Sequence, residues 1–127
     1  MLISNTPSSN SLLVVCLCAD WCGVCREYLD RFDQVKALIL ADDPNARFLW
    51  IDVEDDADLL HPMDVDDFPT LLIAMGDNPH FFGPLVPQAQ TLERMIRTAL
   101  KATANEGLAD PNLRALVGRI QTEKTDP

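Results

Sequence analysis

The chain is organised around one stretch, Ala19-Asp20-Trp21-Cys22-Gly23-Val24-Cys25. A continuous apolar run, Leu12–Cys18, comes directly before it and predicts a strand buried on both faces, as in the centre of a parallel sheet. A helical pattern begins at Cys25 and continues over residues 25–41. Two cysteines spaced i, i+3 where a strand turns into a helix are typical of a redox motif.

The geometry of a helix start explains this spacing. Side chains at i and i+3 are neighbours in the first turn, so Cys22 and Cys25 can form a disulfide with little strain. We expect Cys22 at the N-cap, where its sulfur accepts hydrogen bonds from the N–H groups of Val24 and Cys25. These bonds and the helix dipole favour the thiolate. We therefore predict Cys22 as the nucleophile and Cys25 as the resolving thiol, with Gly23 allowing close approach of a partner backbone.

A second motif, Phe68-Pro69-Thr70, follows later in the chain. With Trp-Cys-Gly-x-Cys after a strand, it makes roughly residues 12–102 resemble the thioredoxin family. The resemblance implies a thioredoxin-like α/β fold, dithiol–disulfide exchange and a cis Pro69 facing the active-site sulfurs. It also implies a substrate-binding surface, made here by Trp21, Gly23, Val24, Phe68 and Pro69. The family usually has Pro where this chain has Val24.

The chain departs from the family at two further positions. Thioredoxins have a buried Asp six residues before the first active-site cysteine, which assists proton transfer, and often a Trp two residues later; here these are Cys16 and Cys18. Both cysteines share one face of the predicted strand. They are either small buried core residues or include a third redox thiol, although burial raises the pKa of a thiol. Loss of the Asp leaves the family's proton route in question.

Together with the first strand, the remaining apolar runs of the sequence predict a central mixed sheet of about four strands flanked by helices. A strand over residues 47–53 should lie parallel to the first, because crossover connections are right-handed. A third strand is predicted over Thr70–Met75, and a short edge strand over residues 80–82 ends where Gly83-Pro84 breaks it.

The helices carry apolar stripes. The first stripe comprises Tyr28, Leu29, Phe32, Val35, Leu38 and Ile39. A later helix opens at Pro87 and runs to about Thr103, with a stripe of Leu92, Met95, Ile96, Ala99 and Leu100. An additional C-terminal helix over residues 110–122 has Asp110 as N-cap and the stripe Leu113, Leu116, Val117 and Ile120.

We expect a single thioredoxin-like domain over residues 1–127, with residues 1–11 as a loose N-terminal arm. That arm is too short for the family's first strand and helix, which we expect to be reduced or missing. We hypothesise that the C-terminal helix covers the sheet face left open by the missing helix. The alternative is a contact within a dimer.

Composition narrows the partners and the compartment. The net charge of −10 argues against binding nucleic acid or an anionic membrane surface. All cysteines lie between positions 16 and 25, a distribution that suits a reducing compartment with one redox site. No Lys or Arg precedes Arg26, which argues against a secretory signal, and no stretch reaches transmembrane length. We therefore expect a cytoplasmic protein.

Acidic residues lie next to both motifs. Asp20 precedes Cys22 by two residues, and Asp64, Asp66 and Asp67 come just before Phe68. They are candidate modulating residues, because carboxylates oppose thiolate formation and attract cationic partners. The alternative is that they belong to a generally acidic, solvated surface. The first interpretation predicts faster reaction with disulfides in basic protein segments.

These observations favour a thiol–disulfide oxidoreductase that reduces protein or small disulfides and takes part in cell redox homeostasis. It would bind no cofactor and no metal, and would take electrons from a donor such as thioredoxin reductase or a glutathione system. The alternative is a thioredoxin-fold binding or adaptor module with weak or no turnover. A third interpretation is a metal site made by the four cysteines, although C-x-C-x3-C-x2-C is not a standard zinc spacing.

Overall fold

The computed structural model describes residues 11–19, 22–63, 65, 67–86, 88–101 and 107–123. The predicted N-terminal arm lies outside these residues except for Ser11. In chain order the elements are β1 (Leu12–Cys18), α1 (Gly23–Asp42), β2 (Arg47–Asp52), α2 (Ala57–Leu60), β3 (Thr70–Met75), β4 (Asn78–Pro84), α3 (Ala89–Lys101) and α4 (Pro111–Glu123).

The strands form one mixed sheet in the order β2-β1-β3-β4. β1 is parallel to β2 and antiparallel to β3, and β3 is antiparallel to β4. β1 thus has a strand on each side, and every one of its residues is buried. The predicted mixed four-stranded sheet, with an apolar run at its centre, is confirmed.

The edge strand β4 is longer than predicted. Gly83-Pro84 was expected to end it, but the strand runs from Asn78 to Pro84. Among the strands that the structure describes, β4 pairs with β3 alone, so its prolines can lie where no second strand needs their missing N–H groups. The pairing of β4 with β3 shifts register between Ile73 and Ala74, as at a β-bulge.

Helix α1 begins at Gly23, two residues before the predicted start, with Cys22 at the N-cap. Its buried residues are Cys25, Tyr28, Phe32, Val35 and Ile39. Leu29 and Leu38, which were predicted to belong to the buried stripe, are 42% and 51% exposed. The stripe is narrower than predicted because these two leucines lie on the helix flank, outside the face that packs on the sheet.

Each face of the sheet is covered by helices. The cysteine face, as we call it, packs against α1 and α3; its β1 residues are Leu12, Val14, Cys16 and Cys18. The aliphatic face packs against α2 and α4; its β1 residues are Leu13, Val15 and Leu17. The alternation of a strand sends successive side chains to opposite faces.

Helix α4 packs on the aliphatic face as hypothesised, with Leu113, Leu116, Val117 and Ile120 buried. Its predicted cap is confirmed, because Asp110 Oδ1 accepts hydrogen bonds from the Asn112 N–H (2.9 Å) and the Leu113 N–H (3.2 Å). Arg119 donates to the carbonyl oxygens of Leu59 (2.8 Å) and His61 (2.9 Å), which holds α4 against α2. Within the described ranges, no helix is both long and apolar enough to cross a membrane.

Candidate active site

The candidate site lies where β1 ends and α1 begins. Cys22 is partly exposed and its thiol is free. Its backbone N–H donates to the carbonyl oxygen of Ala19 (3.0 Å), which closes the turn between strand and helix. The N-cap position is as predicted, but the Cys22 sulfur accepts no cap hydrogen bond, so that expectation was wrong.

The disulfide in this structure joins Cys25 to Cys18, with their Cα atoms 5.9 Å apart. The expected pairing of Cys25 with Cys22 is therefore not the one present, and Cys18 is not simply a core residue. The alternation of β1 directs Cys18 to the cysteine face, and Cys25 belongs to the buried stripe of α1 that covers this face. The two sulfurs meet at the interface between strand and helix. The strand and helix periodicities together are the sequence signal for this pair.

Cys16 is the second free thiol and is fully buried. Its Sγ lies 3.6 Å from the Sγ of Cys18. Because Cys18 is in a disulfide and has no proton, the Cys16 S–H is the donor in this contact. Burial raises the pKa of Cys16 far above its ordinary value, so this thiol stays neutral at physiological pH. The position of the family's buried Asp is thus occupied by a neutral hydrogen-bond donor.

Tyr28 adds a buried polar group to the same face. Its side chain is fully buried, and its hydroxyl has no hydrogen-bond partner among the described residues. Burial raises the pKa of Tyr28, the nearby Cys16 raises it further, and Arg31 acts in the opposite direction. From the sequence, Tyr28 is recognisable only as a residue of the apolar stripe, because periodicity does not show where a hydroxyl points.

The peptide bond between Phe68 and Pro69 is cis, in agreement with the resemblance. Leu17 pairs with Thr70, so the antiparallel register brings Pro69 to the end of β1 where Cys18 lies. Pro69 is buried, and Phe68 packs against the same cluster as Cys22. The hydroxyl of Thr70 donates to the carbonyl oxygen of Asp67 (2.5 Å), which fixes the turn before β3.

The first turn of α1 leaves room for a partner. Val24 is 42% exposed, and a Cβ added at Gly23 would meet no atom within 4 Å. The fold itself therefore does not require glycine at position 23. Of the predicted acidic residues, Asp67 is exposed. Trp21, Asp20, Asp64 and Asp66 lie outside the described residues, so their predicted roles stay predictions.

The third interpretation, a metal site, finds no support in the geometry. Across the part of the chain that the structure describes, no three His, Cys, Asp or Glu side chains are grouped so that they could hold a metal ion. Two of the four cysteines are instead bonded to each other.

Comparison with known proteins agrees with this architecture. The sequence model of the thioredoxin family matches residues 3–98. Among solved structures, thioredoxin from Trypanosoma brucei brucei is 21% identical with a TM-score of 0.60, covering 76% of this chain and 80% of that one. Mitochondrial thioredoxin 3 from Saccharomyces cerevisiae is 22% identical with a TM-score of 0.58, covering 70% and 79%.

Human ERp44 shares the same fold over part of its length. It is 18% identical with a TM-score of 0.62, and the match covers 74% of this chain but 29% of ERp44. At these identities the structural likeness indicates the fold alone. No curated protein matches the sequence.

Proposed function

The chain belongs to the thioredoxin family, and we propose that it is a thiol–disulfide oxidoreductase that reduces protein or small disulfides. The observation that carries the proposal is the state of Cys22. It is a free, partly exposed thiol at the N-terminus of α1, one helical turn before a cysteine that already takes part in a disulfide. A partly exposed thiol at a helix N-terminus is the environment in which cysteines become reactive.

The proposed reaction has two exchange steps. The Cys22 thiolate attacks one sulfur of the substrate disulfide, a mixed disulfide forms, and the other substrate sulfur leaves and takes up a proton. The Cys25 thiolate then attacks the Cys22 sulfur, which releases the second substrate thiol and leaves a Cys22–Cys25 disulfide. Because Cys25 is bonded to Cys18 in this structure, the second step requires that this bond has first been reduced or exchanged.

Turnover needs two electrons from an external donor, for which a thioredoxin reductase or a glutathione system has the right chemistry. The clustering of all cysteines at one site supports a cytoplasmic, reducing location. The exposed side chains of Val24 and Asp67, with the cis Pro69 between β1 and β3, support a substrate surface beside Cys22. The carboxylate of Asp67 and the net charge of −10 favour basic protein segments as substrates.

A disulfide-reduction assay tests the proposal. Reduced protein should reduce insulin disulfides catalytically when supplied with thioredoxin reductase and NADPH, or with glutathione and its reductase. Cys22→Ala should abolish this activity, because the attacking sulfur is lost. Leu38→Ala, a change on the exposed flank of α1, is the control and should keep it. Catalysis by Cys22→Ala at the wild-type rate would refute the assignment of the nucleophile.

Substrate charge is tested separately with two disulfide peptides that differ only in their flanking residues, Lys in one and Glu in the other. We expect faster reduction of the Lys peptide at low salt, and a smaller difference at high salt because salt screens exposed charges. Asp67→Asn should reduce the preference. Equal rates at low salt would contradict a preference for basic substrates.

The second candidate function is a binding or adaptor module. The Cys18–Cys25 disulfide favours it, because Cys25 cannot resolve a mixed disulfide on Cys22 while it is bonded to Cys18. In that case wild-type protein would accumulate stable mixed disulfides through Cys22 and show no turnover in either reducing system.

A further inference from the structure

In this structure Cys25 is bonded to Cys18 of the adjacent strand and not to Cys22, which precedes it by one helical turn. Cys22 lies three residues before Cys25, at the N-cap of the same helix. We propose that Cys18 is a third exchanging thiol of this site, and that Cys22 displaces it from Cys25. The oxidised protein would then interconvert between a buried Cys18–Cys25 disulfide and a Cys22–Cys25 disulfide nearer the surface.

Placement of the three sulfurs supports the exchange. Cys18 and Cys25 are 1% and 2% exposed, while Cys22 is partly exposed and packs against the same cluster. The i, i+3 spacing makes Cys22 a neighbour of Cys25 in the first turn of α1. The i, i+3 spacing thus allows a bond from Cys25 to Cys22, and the structure shows the bond to Cys18.

The step needs no external oxidant or reductant. The Cys22 thiolate attacks the Sγ of Cys25, a Cys22–Cys25 bond forms, and the bond between Cys25 and Cys18 breaks. Cys18 leaves as a thiolate and takes up a proton equivalent to the one that Cys22 lost. One disulfide and one thiol are present before and after, so no electrons enter or leave.

Cys16 supports this step as a positioning residue. A buried thiolate is costly unless a donor compensates its charge. The Cys16 S–H lies 3.6 Å from the Cys18 sulfur and can donate to it as the negative charge develops. Cys16 can do this over a wide pH range, because burial raises its pKa and keeps its proton on.

The inference rests on the proposed function, because the isomer decides which chemistry the site can perform. In the Cys18–Cys25 form, Cys22 is a free thiol and the resolving sulfur is withheld. In the Cys22–Cys25 form, the disulfide is within reach of a reductant or a substrate thiol. Exchange with Cys18 therefore controls access to Cys25.

Peptide mapping can distinguish the two isomers. Oxidised protein is quenched in acid, its free thiols are alkylated in acidic denaturant, and it is digested with a protease that cleaves before aspartate. Cleavage before Asp20 separates Cys16 and Cys18 from Cys22 and Cys25. A Cys18–Cys25 disulfide then links two peptides, with alkyl groups on Cys16 and Cys22. A Cys22–Cys25 disulfide closes a loop within one peptide.

We expect both products from wild-type protein, only the linked peptides from Cys22→Ala, and only the loop from Cys18→Ala. When reduced protein is oxidised at pH 7.5 with one equivalent of a fast thiol oxidant and quenched at successive times, the wild-type ratio should move to a steady value. Cys16→Ala, a matched change on the same strand face, should keep both products and slow this approach several-fold. Wild-type protein that gives only one product at every quench time would overturn the exchange. An unchanged rate in Cys16→Ala would overturn the role of Cys16.

The same variants separate this inference from the proposed function. If wild-type protein reduces insulin disulfides but gives only the loop product, the exchange is wrong and the oxidoreductase assignment stands. If both products interconvert but neither electron donor supports turnover, the exchange stands and the oxidoreductase assignment fails.

Discussion

The central strand β1 contributes buried side chains to both faces of the sheet, yet the two faces differ in chemistry. On the aliphatic face β1 contributes Leu13, Val15 and Leu17, and the helices add aliphatic side chains. On the cysteine face β1 ends in Cys16 and Cys18, opposite Cys25. One face is suited only to stabilising the fold, whereas the other keeps reactive and polar groups in its core.

The family match includes both faces of the sheet but not helix α4. It covers residues 3–98 and so includes every element of the cysteine face up to most of α3. Helix α4, which completes the aliphatic face, begins beyond it at Pro111. The four cysteines and the cis Pro69 therefore lie in the part of the chain that the family model matches, while α4 supplies burial on the opposite face.

The largest expected effect is on the aliphatic face. Leu116→Ala should lower the free energy of unfolding by about 2–5 kcal/mol, because it removes a fully buried side chain and leaves a cavity. Leu38→Ala, at a position 51% exposed, should cost less than about 1 kcal/mol. Urea unfolding measures both. A small effect of Leu116→Ala, together with conversion of a dimer to a monomer in size-exclusion chromatography, would instead assign α4 to a subunit interface.

The next effect is the pH dependence of the cysteine face. Folding raises the pKa of Cys16, so the folded protein keeps a proton that the unfolded chain loses near the ordinary value of 9.0. The contribution of this thiol to the free energy of unfolding is therefore present below that pH and falls as the pH rises, by about 1.4 kcal/mol between pH 8 and pH 10.

Urea unfolding at both pH values, in excess reductant so that no disulfide rearranges, provides the measurement. Cys16→Ala should remove this part of the pH dependence, because Ala does not titrate. An equal loss of stability in the variant and the wild type would show that Cys16 is not the responsible group.

The smallest effect concerns Tyr28. Its hydroxyl is buried without a partner among the described residues, and an unsatisfied polar group costs free energy. Tyr28→Phe should therefore raise the free energy of unfolding by about 1 kcal/mol, as measured by the same denaturation. A decrease would show that the hydroxyl forms a hydrogen bond in solution, and the contrast between the two faces would then be weaker.

Much of the fold could be predicted because local signals agreed. Pro69 and Gly76 flank an apolar run, and β3 has the predicted limits Thr70–Met75. Asp110-Pro111 marked the start of α4 because the cap is a local interaction. β4 was predicted too short, because a Pro breaks an internal strand but is tolerated at an edge, and edge position is a property of the whole sheet.

The site was predicted less completely for a similar reason. The i, i+3 rule describes neighbours on one helix, so it identified Cys22 and Cys25 as a pair but carried no information about the strand beneath. Cys18 enters the site only through packing of β1 against α1. The unpaired hydroxyl of Tyr28 likewise depends on what surrounds it in three dimensions.

The central position of β1 has a consequence for motion. The Cys18 carbonyl oxygen accepts a hydrogen bond from the Val53 N–H (2.9 Å), and β1 has strands on both sides and helices on both faces. Its amides should exchange with deuterium only in global unfolding. The first turn of α1, tied by a 3.3 Å bond from the Arg26 N–H to the Cys22 carbonyl oxygen, can open locally. Changes at the sulfurs should therefore alter deuterium uptake in this turn, while the strand that holds Cys18 stays a fixed reference.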